Sequence, residues 1–400
     1  MRGGGDSPPG FLLERGEAKM SDWLFQEEHR IFRRQAERWV LSELRPHADQ
    51  WEQKEEFPLE VFRRAGELGF LGGGFPEEYG GAGGDFRYHA VLAEALTKSG
   101  SGGVGAGIGL HDFVALPAIA RYGTHEQKER FLRPGIRGTK IGAYAVTEPD
   151  AGSDVLGIKT RAVKQGDYWV INGSKMFITN GARADFYIVA CKTAPEMGHK
   201  GISQIIVEKG ASGFKVSRKL DKLGWRTSDT AELVFEDVRV PLENLLGEEG
   251  RGFYQIMEGF QTERLVMAVS SVASAQECVE MTMDYARKRH AFGQPIGTFQ
   301  VIRHRFADML TRIEAARQLV YNTIWLYIHG RECRKEVAMC KIFACETAVD
   351  VADQCIQIHG GYGYMMEFPV QRIWRDLRIQ PIGGGTSEIQ REIIGKLLGF

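Results

Sequence analysis

The segment Tyr168-Trp169-Val170-Ile171-Asn172-Gly173-Ser174-Lys175-Met176-Phe177-Ile178-Thr179-Asn180-Gly181 decides how the fold is read. Aromatic and β-branched residues dominate it, and two Asn-Gly pairs interrupt it. That pattern predicts short strands over 168–171 and 175–179, each followed by a turn. Comparable runs lie at 186–190, 203–207 and 231–235. Short strands with turn residues and no helices between them predict an antiparallel sandwich or barrel over 141–250.

Outward from this centre the period changes. Residues 27–43 and 59–68 repeat apolar side chains at three- and four-residue spacing, the mark of amphipathic helices. Glycine clusters at 72–74, 80–84 and 102–109 are expected to punctuate the helices. The last cluster holds no G-x-G-x-x-G within its bounds, and the chain has no P-loop pattern. After Gly252, residues 253–289, 301–329 and 336–358 form long amphipathic runs, which predict an antiparallel helical bundle. The expected class is α+β multidomain. A helical domain spans 21–140, a β-domain 141–250 and a bundle 251–400. Residues 1–20 are Gly- and Pro-rich with acids mixed in; they predict a disordered leader rather than a secretory or transit peptide, and Met20 is a candidate start. No internal repeat is present.

The totals exclude several classes. Of 400 residues, 43% are hydrophobic, enough for a buried interior, and the formal net charge of -1 gives no general attraction to nucleic acid or an anionic membrane. No uninterrupted apolar run is long enough to span a bilayer. The six cysteines form no C-x-x-C pair, so a zinc or thioredoxin-type site is not expected. Cys340 and Cys345 fall in an apolar helical pattern and are expected in the core. This usage suits a reducing compartment.

A second informative stretch is Ile382-Gly383-Gly384-Gly385-Thr386-Ser387-Glu388-Ile389-Gln390-Arg391. Its glycines permit positive φ and close backbone approach to a ligand. Thr386 or Ser387 can cap the helix expected over 388–398, with Gln390 three residues after Ser387 as a capping box requires. The free N–H groups at such a start favour an anion.

Five motifs in order go beyond patterning. They are 145–154 (Ala-Val-Thr-Glu-Pro-Asp-Ala-Gly-Ser-Asp), 177–181 (Phe-Ile-Thr-Asn-Gly), 289–293 (Arg-His-Ala-Phe-Gly), 357–361 (Gln-Ile-His-Gly-Gly) and the Thr386 loop. With them the chain resembles the acyl-CoA dehydrogenase family over nearly its full length after Ser21. The resemblance implies a helical N-terminal domain, a β-domain, a C-terminal four-helix bundle, bound FAD and a homotetramer. It also implies α,β-dehydrogenation of an acyl-CoA thioester to a trans-2-enoyl-CoA. A carboxylate takes the α-proton, and fixed donors face the thioester oxygen, where charge develops.

Many members of the family carry the base as a glutamate at the position Gly384 holds here. This chain instead resembles the isovaleryl- and long-chain-specific branch, whose base lies on another helix in an E-R-L context, here Glu263-Arg264-Leu265. Without the family, Glu263 shares a helix face with Ile256, Gly259, Phe260, Val266 and Met267. That placement suits a rim glutamate paired with Arg264 or a lysine, or a desolvated base whose pKa burial raises. The glycine at 384 favours the base, because each departure explains the other, and the Gly384 N–H still serves the thioester oxygen.

By the same resemblance Tyr144, Ala145, Val146, Thr147, Gly152 and Ser153 line the flavin, with Ser153 also near substrate. Phe177 packs on the isoalloxazine beside Ile178, and the Thr179 hydroxyl points toward N5. Thr386, Ser387 and Glu388 bind FAD at their helix start. Arg289, Phe292 and Gln300, with Gln357, Ile358, His359, Gly360 and Gly361, approach the FAD of a neighbouring subunit; His359 is given no chemistry of its own. Arg289 also reads as a solvated charge in a basic run. Tyr254, Arg264, Gly384 and Gly385 match substrate-contacting positions. Electron-transfer flavoprotein is the implied acceptor, and the implied location is cytoplasmic, or the mitochondrial matrix in a eukaryote. Competing readings are an oxygen-using monooxygenase, an oxidase or a desulfinase on the same fold, or a non-catalytic scaffold. The residues leave acyl length and branching open.

Overall fold

The computed structural model describes residues 23–400; the expected leader at 1–20 and the helix start at Ser21 lie outside the described residues. Helices come first: α1 (Glu27–Trp39), α2 (Ala48–Lys54), α3 (Glu60–Glu67), α4 (Phe86–Thr97), α5 (Gly102–Gly109) and α6 (Leu116–Tyr122). The glycines of α5 do not interrupt a helix, as expected from sequence, but build one. A Cβ at Gly103 would lie 2.2 Å from Thr227 Oγ1, and one at Gly107 would lie 2.8 Å from Phe57. Close packing against the loops that carry Thr227 and Phe57 therefore selects glycine at these positions despite its poor helix propensity. Gly100, Gly102 and Gly105 do fall at G-x-G-x-x-G spacing, but they follow helix α4 rather than a strand, which is not the dinucleotide-binding context. The stretch Gly102–Tyr122 is long and apolar enough by composition to cross a bilayer, yet 61% of its most apolar window is buried inside the protein. It serves as a core element here.

Seven strands follow: β1 (Gly142–Ala145), β2 (Arg161–Gln165), β3 (Tyr168–Thr179), β4 (Phe186–Lys192), β5 (Ile202–Glu208), β6 (Phe214–Lys219) and β7 (Thr230–Pro241). The expected antiparallel pairing holds for β2–β3, β3–β7, β6–β7 and β4–β5, while β1 and the start of β2 run parallel to β4. One sequence expectation fails. Asn172-Gly173 is not a hairpin turn, and β3 continues through it as one strand. A bulge absorbs the pair: the register with β7 shifts between Ile171 and Gly173, and Gly173 takes φ 149. A Cβ there would lie 2.5 Å from Thr160 Oγ1, so glycine is needed for contact with β2 rather than for a turn. Asn180, by contrast, takes left-handed φ 59 in a true turn and donates from Nδ2 to Gly107 O (2.8 Å).

The last third is helical: α7 (Gly252–Lys288), α8 (Gln300–Ile328), α9 (Arg334–His359), α10 (Pro369–Leu377) and α11 (Ser387–Leu397), with a small hairpin of His290–Ala291 and Gln294–Pro295 after α7. Buried side chains of α7, α8, α9 and α4 share one apolar core. Helix α10 joins the three parts. The Asp376 carboxylate accepts from Gly102 N (2.9 Å) and Trp225 N (2.6 Å), and Arg372 and Arg375 donate to Gly100 O and Leu223 O. The chain leaves this junction directly into residues 379–386, so the glycine loop starts from a fixed base.

Candidate active site

The glycine loop and the middle of α7 meet. Gly384 and Gly385 are left-handed (φ 61 and 91), so both positions need glycine for backbone reasons. A Cβ on Gly384 would lie 3.4 Å from Glu263 Oε1 and 2.9 Å from Met267 Sδ. The two positions at which a carboxylate was weighed from sequence therefore face one point. Glu263 makes no ion pair with Arg264. The Arg264 side chain, 4% exposed, is engaged instead by the loop, where its Nε donates to Gly384 O (2.9 Å). Burial raises the Glu263 carboxyl above its ordinary value, while Arg264 and Lys341 pull it back. Tyr144 lies close as well: burial, then the Glu263 charge, pushes its phenol up.

Two further buried side chains hold the loop, and the sequence reading missed both. Lys341 Nζ (α9) donates to Gly385 O (2.8 Å), and Gln390 Nε2 (α11) donates to the same oxygen (3.0 Å). Lys341 and Gln390 are each 0% exposed. The signal for Lys341 was present as a lone charge in the apolar run Val337-Ala338-Met339-Cys340-Lys341-Ile342-Phe343-Ala344-Cys345. Thr386 is the N-cap, accepting from Ile389 N (3.3 Å). The capping box expected from Ser387 and Gln390 does not form, because Gln390 reaches back to the loop carbonyls. With Gly384 O and Gly385 O drawn inward, the trans peptide plane turns the N–H groups of Gly385 and Thr386 the opposite way. Among the described residues nothing accepts from the N–H of Gly384, Gly385 or Thr386.

Residues 144–153 lie against both β3 and α7. Val146 and Ala151 pack with Ile256, beside Tyr144, Met257 and Phe260, one to two turns before Glu263. Met176 N donates to Thr147 O (2.9 Å). Beneath them Lys175, 0% exposed, donates from Nζ to Val146 O (2.9 Å) and Glu148 Oε1 (2.8 Å). The Glu148 carboxylate also accepts from Lys159 N and Thr160 N. A second bulge between Lys175 and Ile178 turns Phe177 outward at φ 61 with 65% of it exposed, while Ile178 is buried and Thr179 partly so. An aromatic ring presented on strained backbone is what a bulge beside a site provides. Gly152 and Ser153 are exposed, and a Cβ at Gly152 would touch nothing. Tyr254, 37% exposed, stands more than two turns before Glu263 with Arg251 over its ring.

The remaining expected residues gather elsewhere. At the far end of α7, Tyr285 and Arg289 line a cleft of about 430 Å³ with Ile358, His359, Gly360, Gly361 and Tyr362. The ring of His359 stacks on Tyr285 (4.2 Å) and its Nδ1 bonds to Cys355 O, so the histidine is a packed element of the cleft wall. Arg289 is exposed and lies over the Tyr362 ring. Gln300 and Gln357 are exposed, and Phe292 is 95% exposed. Glu263 and Tyr285 are 22 residues apart on one helix, about 33 Å. The chain brings Glu263, Arg264, Gly384, Gly385 and Tyr144 together, but not these with Arg289.

Comparison with known proteins places these features in a family. Residues 26–139 match the N-terminal domain of acyl-CoA dehydrogenases, 143–238 the middle domain and 250–399 the C-terminal domain. The mitochondrial long-chain specific acyl-CoA dehydrogenase of Mus musculus is 41% identical over 375 residues, covering 93% of this chain and 87% of that protein. The mitochondrial isovaleryl-CoA dehydrogenase of Oryza sativa subsp. japonica is 41% identical, covering 97% and 95%. The crystal structure of acyl-CoA dehydrogenase from Geobacillus kaustophilus superposes with TM-score 0.91 at 44% identity, covering 94% and 99%. An acyl-CoA dehydrogenase from Bacillus anthracis complexed with FAD is 36% identical at TM-score 0.88, covering 94% and 67%. The residues fit that cofactor: Phe177 offers an exposed ring, three N–H groups stand unpaired before α11, and Ser387 Oγ is buried without a partner. The chain belongs to the acyl-CoA dehydrogenase family and is an oxidoreductase whose cofactor is FAD.

Proposed function

We propose that the protein oxidises an acyl-CoA thioester to its trans-2-enoyl-CoA, with Glu263 as the base that removes the α-proton. The observation that carries this reading is the approach of Glu263 Oε1 to the Cβ position of Gly384 (3.4 Å). A partly buried carboxylate with a raised pKa is a stronger base than a solvated one, and removal of a weakly acidic α-proton needs that strength. Negative charge then grows on the thioester oxygen. The Gly384 N–H, bonded to nothing among the described residues, is the donor for it, and the peptide planes fixed by Arg264, Lys341 and Gln390 hold the loop for that task. Bound FAD supplies the acceptor for the β-hydride. Phe177 covers the ring, the Thr179 hydroxyl bonds to its reactive edge, and residues 144–147, 152 and 153 line it, with Ser153 beside substrate. Thr386, Ser387 and Glu388 bind the cofactor at the start of α11. Tyr254 and Gly385 contact the acyl-CoA, and Arg264 supports substrate through the loop.

The working unit in this reading is a homotetramer. Arg289, Phe292, Gln300 and residues 357–361 serve the cofactor of a neighbouring subunit, because they gather beyond the C-terminal end of α7, where Tyr285 already stands about 33 Å from Glu263. The exposed Phe292 (95%), Tyr364 (82%) and Met366 (60%) around that cleft supply apolar surface for such a contact. Electrons leave to an electron-transfer flavoprotein, and the reaction belongs to fatty-acid or branched-chain oxidation in the cytoplasm or mitochondrial matrix. Long-chain and isovaleryl relatives at equal identity support both substrate classes.

Anaerobic titration of the yellow protein with straight and branched acyl-CoAs, from short to long, tests the reading. Bleaching of the oxidised flavin band by one group supports dehydrogenation and names the substrate class. No bleaching by any of them, with FAD bound and reducible by dithionite, would sink it. Oxygen consumption with turnover would favour the monooxygenase reading instead.

A further inference from the structure

Lys341 is the buried cation of this site that no step above uses for chemistry. It projects from α9, is 0% exposed, and its ammonium makes one hydrogen bond among the described residues, to Gly385 O (2.8 Å). Leaving an ammonium group dry is costly unless charge and hydrogen bonds repay it. The backbone carbonyl alone does not require a cation, since Gln390 already donates to it (3.0 Å). The other charged and titratable groups near it are Glu263 and Arg264 on α7, Cys345 and Glu346 on its own helix, and Glu388 at the start of α11. Of these only Glu263 combines an anionic form with a poorly solvated setting beside the glycine loop. The cysteine is fully buried with its thiol pushed up, and Glu346 is bound to Arg391 (2.9 Å). Glu388 is drawn down by its own helix start.

We propose that Lys341 is a positioning residue for proton abstraction: its ammonium pins the loop through Gly385 O and sets a positive charge beside the Glu263 carboxylate. The inference rests on Glu263 being the base. Before reaction the charge favours ionised Glu263. Once Glu263 has taken the α-proton it is neutral, and the cation then faces the negative charge growing on the thioester oxygen across the same loop. One buried lysine thus favours both ends of the step, with Arg264 as its counterpart on Gly384 O. Burial draws the lysine below its usual range and the Glu263 charge draws it back, so the two groups support each other's charged forms.

The test compares wild type, Lys341→Met and Lys341→Arg as FAD-loaded proteins. Methionine matches the length without charge or donor, and Gln390 keeps Gly385 O bonded, so the variant should retain the fold. Flavin reduction by the acyl-CoA that bleaches wild type is followed across pH. Lys341→Met should be about tenfold slower at neutral pH, with the acid limb displaced to higher pH so that the deficit shrinks as pH rises. Arginine should restore the position of that limb. Independently of turnover, hydrogen exchange at the bonded amides of Gly383, Ser387 and Gln390 should lose protection in the methionine variant and keep it in the arginine variant. A methionine profile superimposable on wild type, or a loss equal at every pH that arginine fails to repair, overturns the proposal. A wild-type flavin that no acyl-CoA reduces removes the base assignment itself; that failure is separate, because it shows in the unaltered protein.

Discussion

The middle and the C-terminal end of helix α7 carry polar groups in opposite ways. At its middle Glu263 sits among Met267, Tyr144 and the glycine loop, and the cations around it come from α7 and α9 of the same chain. At its C-terminus Arg289 stands exposed beside a cleft with glycines at 360 and 361 whose added Cβ atoms would meet nothing. The first region is held from within: the side chains that fix the loop carbonyls, Arg264, Lys341 and Gln390, all belong to this chain. The second is open: bare glycines, an arginine laid over the Tyr362 ring and a 95% exposed Phe292 face outward. On the proposed reading the first region carries chemistry and the second carries assembly.

Breaking the first region should have the larger effects. Glu263→Gln should keep bound FAD while its reduction by acyl-CoA slows about 10³-fold, the range for loss of a general base. Stopped-flow absorbance reads both, and reduction at the wild-type rate would return Glu263 to the role of a rim residue. The same carboxylate sets the pH dependence. Its folded value is raised above 4.5, so the base is lost to protonation at a higher pH than a free glutamate would be. Reduction should therefore decline on acidification while pH is still above 4.5. Next in size is Lys175→Met, which leaves Glu148 buried and short of its ion pair. A loss of about 3 kcal/mol is expected, at the low end for a broken buried pair because two backbone N–H groups still reach the carboxylate. Thermal unfolding with and without added FAD measures it.

The open region should respond more weakly and in a different variable. Arg289→Ala should weaken FAD retention about tenfold, the worth of one charge-assisted hydrogen bond, and the weakening should grow on dilution if the cofactor lies between subunits. Equilibrium dialysis over a range of protein concentrations separates that from a simple surface effect. The last change, Gly360→Ala, touches no side chain. Gly360 has φ 61 and ψ -137, a conformation almost confined to glycine, with open space around it, so a backbone cost of about 1–3 kcal/mol is expected, seen as a fall in melting temperature.

Much of this was legible in the sequence, for identifiable reasons. The long helices α7, α8 and α9 begin and end within two residues of their expected bounds, because 3.6-residue periodicity survives over many turns. The pairing of Glu263 with Gly384 was readable because a missing carboxylate in one motif and an E-R-L in another made sense only together. What failed was local chemistry with a tertiary cause. Asn172-Gly173 looks like a turn, yet packing against Thr160 turns it into a bulge. The glycines of α5 look like a break, yet Thr227 and Phe57 press too close to Gly103 and Gly107 for a side chain there. Lys341 and Lys175 were passed over because a lysine in an apolar run gives no sign of its partner, and their partners lie 44 and 27 residues away.

The most direct measurement of the central claim moves the carboxylate across the 3.4 Å gap. Glu263→Gly should bind FAD, which should stay oxidised when acyl-CoA is added. Adding Gly384→Glu should restore part of the reduction rate, since both positions face one α-carbon; left-handed strain of about 1 kcal/mol at residue 384 would keep the recovery incomplete. A double variant that holds FAD, keeps the amide protection of residues 382–391 and still cannot be reduced would contradict the account.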